Sequence, residues 1–144
     1  MPEFFEPPAM ALCVAEVEAM VADGRHSPNS SAALERLDSL LRTGWNYNDL
    51  LFPIGNLIAA RLFEARGDLS RALGAVRRRA WFEPFLSTQQ REEGRLAALN
   101  GDRAGAIRAY RHYLALRSAP EPGLGPEVER VRAELQRLEA GERR

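Results

Sequence analysis

The sequence predicts an all-α fold of antiparallel helix-turn-helix repeats, with about seven helices in 144 residues. Apolar residues recur at helical spacing, and no segment alternates apolar and polar residues for long enough to be a strand. The pairs Gly67-Asp68 and Gly101-Asp102 lie 34 residues apart, and each separates two helical patterns. A period of this length is typical of helical repeats, which usually form binding surfaces and not active sites.

The first part of the chain predicts an arm followed by a helical pair. Residues 1–8 contain three prolines and are expected to form a flexible N-terminal arm. A helix over 9–22 ends at Asp23-Gly24, and a second helix over 31–42 carries four leucines on one face. With the loop that follows, residues 9–48 form a degenerate helical pair.

The helix over 9–22 has an apolar stripe made of Met10, Cys13, Val14, Val17 and Val21. We expect this stripe to be buried, with Cys13 acting as a small hydrophobic residue. Alternatively, the face stacks on a further repeat outside the chain. An isolated chain would then self-associate through this N-terminal helix face.

The next four helices form two hairpins. The first hairpin has a helix from Pro53 to Arg66, and Pro53 fits because proline is tolerated in a first turn. Glycine at 67 stops this helix and Asp68 caps the next, over 69–81. In the second hairpin, Ser87 and Gln90 predict a capping box for a helix that ends at Asn100, and a helix over 103–117 follows. A final helix over 126–140 is predicted to cap the stack.

The residues around the two turns correspond in pairs: Ala72 with Ala106, Leu73 with Ile107, Val76 with Tyr110, and Ala80 with Leu114. Small residues, Ala60 and Gly94, also stand seven positions before each turn. Helix backbones approach closely only where the side chains at the crossing are small. We therefore expect a small residue before each turn to meet a small residue after it.

Segment 53–118 resembles two tetratricopeptide (TPR) repeats, 53–84 and 87–118. The matching residues of the first are Ala60, Phe63, Gly67, Asp68, Ala72, Val76, Ala80 and Pro84. Those of the second are Gly94, Gly101, Asp102, Ala106, Tyr110 and Leu114. Both lack the aromatic residue usual early in a repeat, and Ser118 replaces the closing proline. The tail over 106–138 also resembles the C-terminal repeat region of large bacterial signalling and transcription regulators.

The resemblance implies a TPR-like α-solenoid in which the first helix of each repeat lines a concave groove. Helical spacing then groups six candidate peptide-binding residues: Leu57, Arg61, Glu64, Arg91, Glu92 and Arg95. Their arginines are suited to hold a carboxylate or a phosphorylated peptide through bidentate hydrogen bonds. The alternative is a solvated face on which Arg61 pairs with Glu64, and Arg91 or Arg95 with Glu92.

Composition and charge argue against several other partners. The 20 basic and 20 acidic residues cancel, so no net charge attracts nucleic acid or a membrane surface. Every basic residue is arginine, which is typical of a GC-rich bacterial genome. The run Arg77–Arg79 makes no single patch because consecutive helical residues point in different directions. One cysteine excludes an intrachain disulfide, and no transmembrane segment is readable, so the expected location is the cytoplasm.

The sequence shows no catalytic, metal or cofactor site. It has no serine or cysteine nucleophile placed beside a histidine, no paired acids in an apolar setting and no phosphate-binding loop. We therefore expect a non-enzymatic protein–protein interaction module that presents a groove to a peptide or partner domain. Two alternatives remain: a regulatory or packing domain at the C-terminus of a larger bacterial regulator, and a ligand-sensing helical domain.

Overall fold

Seven α-helices and one 3-10 turn (Pro122–Leu124) are present in the computed structural model, which describes residues 7–43, 50–79 and 85–141. The helices are α1 (Pro7–Gly24), α2 (Ser30–Arg42), α3 (Leu51–Ala65), α4 (Leu69–Val76), α5 (Leu86–Leu99), α6 (Arg103–Leu116) and α7 (Gly125–Ala140). Those residues contain no strand, so the all-α prediction is confirmed. Helices α1 to α4 belong to a first compact unit, which ends at residue 84, and α5 to α7 belong to a second. We refer to them as unit 1 and unit 2.

In unit 1, α1 packs on α2 and α3, α2 also packs on α3, and α3 packs on α4. Three of the four leucines predicted on one face of α2 are buried, since Leu34, Leu37 and Leu41 are each at most 2 % exposed, whereas Leu40 is half-buried. Phe52 and Phe63 add two aromatic rings from α3 to the same unit, and both are buried. The apolar period of α2 therefore identified its core-facing side correctly.

The prediction for α1 was wrong about which face is buried. Met10 is 50 % exposed and Val17 56 %, and Cys13 is only half-buried. The inward face instead carries Leu12, Ala15, Glu16 and Ala19. Gly55 of α3 leaves room for one of these inward side chains. A Cβ atom placed on Gly55 would lie 2.6 Å from Oε1 of Glu16, so the glycine allows the Glu16 side chain to reach between α1 and α3.

Both predicted glycine turns are confirmed. Gly67 has a φ of 76° and Gly101 a φ of 77°, a left-handed conformation that glycine adopts at little cost. After each turn, an aspartate caps the next helix. The carboxyl of Asp68 accepts from the backbone N–H of Arg71 at 3.0 Å, and Asp102 Oδ1 accepts from that of Gly105 at 2.9 Å. The α3–α4 and α5–α6 hairpins therefore close in the same way.

The structure corrects three predicted helix boundaries. Helix α1 begins at Pro7, so the predicted arm over 1–8 overlaps the helix, and residues 1–6 lie outside the described residues. Helix α4 ends at Val76 and does not continue to residue 81. Its last carbonyl accepts a hydrogen bond from Arg79 Nη1 at 2.6 Å, which satisfies a C-terminal group of the helix. Positions 44–48 of the predicted loop, and positions 80–84 of the first predicted repeat, also lie outside the described residues.

The third correction concerns the start of α5, which begins at Leu86 without a side-chain cap. Ser87 lies inside this helix and does not form the predicted capping box. Its Oγ instead accepts a hydrogen bond from Arg117 Nη2 at 2.8 Å, which ties the start of α5 to the end of α6.

In unit 2, α5 packs on α6 and α6 packs on α7. One cluster of buried residues joins α6 to α7: Ile107, Tyr110, Tyr113, Val128, Val131 and Leu135. On α5, Gly94 was expected to meet a small residue of α6, but its nearest neighbour is the ring of Tyr110. A Cβ atom at Gly94 would be only 2.3 Å from Cδ1 of that ring, so this close approach requires glycine.

Candidate functional site

Unit 2 contains an open groove that includes three of the residues predicted to bind a peptide. Its volume is about 270 Å³, and both α5 and α7 contribute to its walls. The groove is lined by Arg91, Glu92, Arg95, Tyr110, Glu127, Arg130, Val131 and Glu134. We call it the α5–α7 groove. Its charged side chains comprise three arginines and three glutamates, so it carries no formal net charge.

Two of the arginines are held by carboxylates of the same groove. Arg91 Nη2 lies 3.2 Å from Glu92 Oε1, and Arg95 Nη2 lies 2.9 Å from Glu92 Oε2. Arg91 also forms an ion pair with Glu127 of α7. The predicted alternative, pairing of Arg91 or Arg95 with Glu92, is therefore confirmed. These pairs fix the direction of both guanidinium groups before any ligand arrives.

Glu127 also joins the groove to the core of unit 2. Its Oε1 accepts a hydrogen bond from the hydroxyl of Tyr113 at 2.5 Å, and Tyr113 is only 1 % exposed. Burial, followed by the hydrogen bond to Glu127, raises the pKa of Tyr113 to about 12. Burial alone would raise the pKa of Glu127, but Tyr113 and Arg91 outweigh this effect and lower it. At neutral pH, the tyrosine is therefore protonated and the glutamate is ionised.

The remaining wall and floor of the groove are the parts best placed to meet a ligand. Arg130 is exposed, and it makes no ion pair with any residue in 7–43, 50–79 or 85–141. Glu134 pairs with Arg137 at 2.6 Å. Below them, Tyr110 and Val131 form an apolar floor, each 5 % exposed. The groove thus offers a small apolar surface beside a guanidinium group.

The other three predicted site residues lie on α3 in unit 1. Arg61 is exposed, whereas Leu57 and Glu64 are half-buried. Because these residues and those of the α5–α7 groove belong to different units, their grouping on one face stays a prediction.

Sequence reasoning missed the contribution of α7 to the groove. We expected this helix only to cap the stack, yet it provides Glu127, Arg130, Val131 and Glu134. One signal was available, because Glu127 follows Arg91 by 36 residues, which is close to the 34 residues that separate the two glycine turns. Under the predicted repeat, this spacing places Glu127 near the position equivalent to Arg91.

Sequence reasoning also missed a buried ionic cluster in unit 1, centred on Asp38 of α2. Asp38 is 3 % exposed, and its carboxylate accepts hydrogen bonds from Arg42 at 2.8 Å, Arg71 at 3.1 Å and Arg78 at 2.5 Å. Burial alone would raise the pKa of Asp38, but these guanidinium groups, Arg78 first, lower it. Arg71 also binds Glu35 in a bidentate pair, at 2.5 and 2.7 Å.

This ionic cluster has a structural role, since it links α2 to α4 and to the segment after α4. The sequence contained a sign of it, because Asp38 stands among Leu34, Leu37 and Leu41 on the buried face of α2. A charge on such a face needs a partner, because isolated buried charges are strongly unfavourable. The arginine run after α4 supplies that partner through Arg78.

Comparison with known proteins finds no matching family model, no significantly similar curated protein and no significantly similar solved structure. In the part of the chain that the structure describes, no group of three or more histidine, cysteine or acidic residues is arranged to hold a metal ion. None of the helices described is long and apolar enough to cross a membrane. The TPR-like character of residues 53–118 therefore stays a prediction from the sequence resemblance.

Proposed function

We propose that the chain is a non-enzymatic, TPR-like module for protein–protein interaction, and that the α5–α7 groove binds a peptide segment of a partner. The proposal rests on one observation, the pre-ordered groove with an apolar floor beside an exposed arginine. A bound segment would place one apolar side chain on Tyr110 and Val131, and one carboxylate beside Arg130. Ordered side chains reduce the entropic cost of binding, which favours recognition of a flexible peptide.

Charge in the groove indicates how the ligand is recognised. Arg91 and Arg95 already have carboxylate partners on Glu92 and Glu127, so a ligand would have to displace those pairs to use them. Arg130 requires no such exchange. We therefore assign the electrostatic part of recognition to Arg130, and expect micromolar affinity because partly exposed ion pairs contribute only about 0–1 kcal/mol.

Two further observations support a binding module over an enzyme. The α3–α4 and α5–α6 hairpins have the same glycine turn and aspartate cap at a spacing of 34 residues, which is consistent with TPR-like repeats. The tyrosine and the glutamate at the groove, Tyr113 and Glu127, have pKa values shifted away from neutrality. General acid–base catalysis favours groups whose pKa lies near the working pH. The proposal places the protein in the bacterial cytoplasm, without a nucleic-acid or membrane partner.

The experiment is a selection of short random peptides by phage display against the chain, followed by affinity measurements on the selected sequences. Two matched variants test the site, Arg130→Glu in the groove and Arg132→Glu as a control. Both arginines are exposed on α7, but Arg132 pairs with Glu129 and does not line the groove. Circular dichroism would verify that both variants remain folded.

The proposal predicts selected peptides that combine an acidic residue with an aromatic or large aliphatic one. Fluorescence anisotropy should show that Arg130→Glu weakens their binding about tenfold or more, equivalent to about 1.4 kcal/mol. Arg132→Glu should leave the affinity within about twofold, because Arg132 does not line the groove and its exposed charge is screened by solvent. Failure to select any peptide, or equal loss with both variants, would refute a peptide site in this groove.

A further inference from the structure

Helix α1 exposes an apolar stripe along one face of unit 1. We define the α1 stripe as Met10, Val14, Val17 and Val21, which are 50, 41, 56 and 43 % exposed. Their spacing of four, three and four residues is the pattern that forms the seam between two packed helices. Contiguous apolar surface of this kind usually marks an interaction site.

The spacing of the stripe residues is also symmetric, because the intervals of four, three and four residues are the same from either end of the helix. If a second α1 lies antiparallel across it, Met10 of each copy faces Val21 of the other, and Val14 faces Val17. Every stripe residue then meets an apolar residue, and the two contacts are related by a two-fold axis between positions 14 and 17. We propose that the α1 stripe is the interface of a symmetric homodimer with antiparallel α1 helices.

The charges of α1 are compatible with this arrangement. Glu18 pairs with Arg36 at 3.0 Å, Asp23 pairs with Arg66 at 3.0 Å, and Glu16 is 6 % exposed on the inward face. Each acidic side chain of α1 is therefore either paired with an arginine or buried within its own chain. Arg25 follows the end of α1, so the two copies of Arg25 would stand at opposite ends of the seam and would not repel each other.

A neighbouring groove provides space for the longest side chain of the stripe. It has a volume of about 610 Å³ and lies where the second half of α1 faces the first half of α2. Its apolar walls are Val17, Val21, Ala22, Ala32 and Ala33. In the antiparallel dimer, Met10 of the second copy comes next to Val21, and flexible methionine side chains adapt well to such irregular spaces.

The size of the contact predicts weak association. Stable protein–protein interfaces bury about 800 Å² on each partner, and we expect a seam of only four side chains to bury less. We therefore expect the dimer to form reversibly and to dissociate on dilution. This interface belongs to unit 1, and its test is independent of peptide binding in unit 2.

Sedimentation equilibrium over a wide concentration range tests the proposal. The wild-type chain should shift from its monomer mass of 16.1 kDa toward twice that mass as its concentration rises. Val17→Glu places a charge at the centre of the seam and should abolish the shift, with the helical content unchanged because this side chain is largely exposed. Leu99→Glu is the control, since Leu99 is 55 % exposed on α5 and should not affect dimerisation. A monomer at all concentrations, or a dimer unaffected by Val17→Glu, would overturn the proposal. The α1 stripe would then have to bind a helix of a different protein.

Disulfide cross-linking then tests the antiparallel arrangement. In a Cys13→Ser background, one preparation carries Val14→Cys and the other Val17→Cys, and the two are mixed under mild oxidation. Antiparallel pairing places position 14 of one copy opposite position 17 of the other, so the main product should join the two different variants. A predominance of 14–14 and 17–17 products would contradict the antiparallel dimer, because parallel helices oppose identical positions.

Discussion

Substitution of Gly94 by alanine should destabilise unit 2, although alanine is the better helix former. The added Cβ atom would lie 2.3, 2.4 and 2.9 Å from Cδ1, Cε1 and Cγ of Tyr110. Favourable separations between carbon atoms are about 3.5–4.0 Å, so either the ring or the helix has to move by more than about 1 Å. The ring is 5 % exposed and packs against α7, which leaves it little freedom to move.

The expected magnitude is the balance of two effects. Alanine in place of glycine favours a helix by about 1 kcal/mol, whereas overpacking a filled core costs about 1–3 kcal/mol. Because the contact involves three ring atoms of a buried side chain, we place the cost at the upper end of that range. The free energy of unfolding should therefore fall by about 2 kcal/mol.

Urea denaturation followed by circular dichroism provides the measurement, and Gly74→Ala is the matched control. Gly74 lies in α4, and no atom comes within 4 Å of the Cβ it would gain, so this change should stabilise the chain by about 0.5–1 kcal/mol. In a Tyr110→Leu background the penalty of Gly94→Ala should largely disappear. A stabilising Gly94→Ala, or a penalty unaffected by Tyr110→Leu, would refute the proposed ring contact.

Four further substitutions test the turns, the ionic cluster and the groove. Gly101→Ala should lower the free energy of unfolding, measured by urea denaturation, by about 1–2 kcal/mol, and Gly101→Asn should lower it less. The reason is that only the left-handed backbone conformation opposes a side chain at this position. Equal losses for the two variants would contradict this. Asp38→Asn should cost about 2–3 kcal/mol, because it removes the buried charge to which three partly exposed arginines donate hydrogen bonds. The exposed Glu35→Gln should cost less than about 1 kcal/mol. Similar losses would argue against the cluster.

The pKa of Glu127 is lower in the folded chain than its unfolded value of 4.5. This difference stabilises the fold above pH 4.5, and the stabilisation is lost as the pH falls through the folded pKa. Glu127→Gln should therefore make the acid side of the stability–pH curve shallower. The raised pKa of Tyr113 stabilises the fold fully below pH 10, and this stabilisation is lost between pH 10 and about 12. Tyr113→Phe should therefore flatten the alkaline side of the stability–pH curve. Unchanged profiles would show that neither group has the proposed environment.

The features that could be predicted from sequence are those set by local interactions. The left-handed glycines at 67 and 101, and the aspartate caps after them, depend on a few adjacent residues, and both hairpins form as expected. The buried leucines of α2 follow from its apolar period. Such signals require no knowledge of which helices are neighbours.

The features that could not be predicted depend on tertiary contacts. The stripe of α1 has the larger apolar residues, yet the opposite face is buried, and Gly55 of α3 leaves room there for the Glu16 side chain. Helix α4 ends earlier than its pattern indicates, and just after its end Arg78 binds Asp38, which is 40 residues earlier in the chain. Likewise, the α5–α7 groove becomes visible only when Glu127 is placed beside Arg91.

An NMR titration of the isotopically labelled chain with a peptide selected by display would locate the binding site. If the α5–α7 groove binds the peptide, the shifted signals should concentrate on its walls and floor, above all at Arg95, Tyr110 and Arg130. The same peptide should cause no such changes in the Arg130→Glu variant. Shifts confined to α1 and α2, or equal shifts in that variant, would contradict the claim that this groove is the binding site.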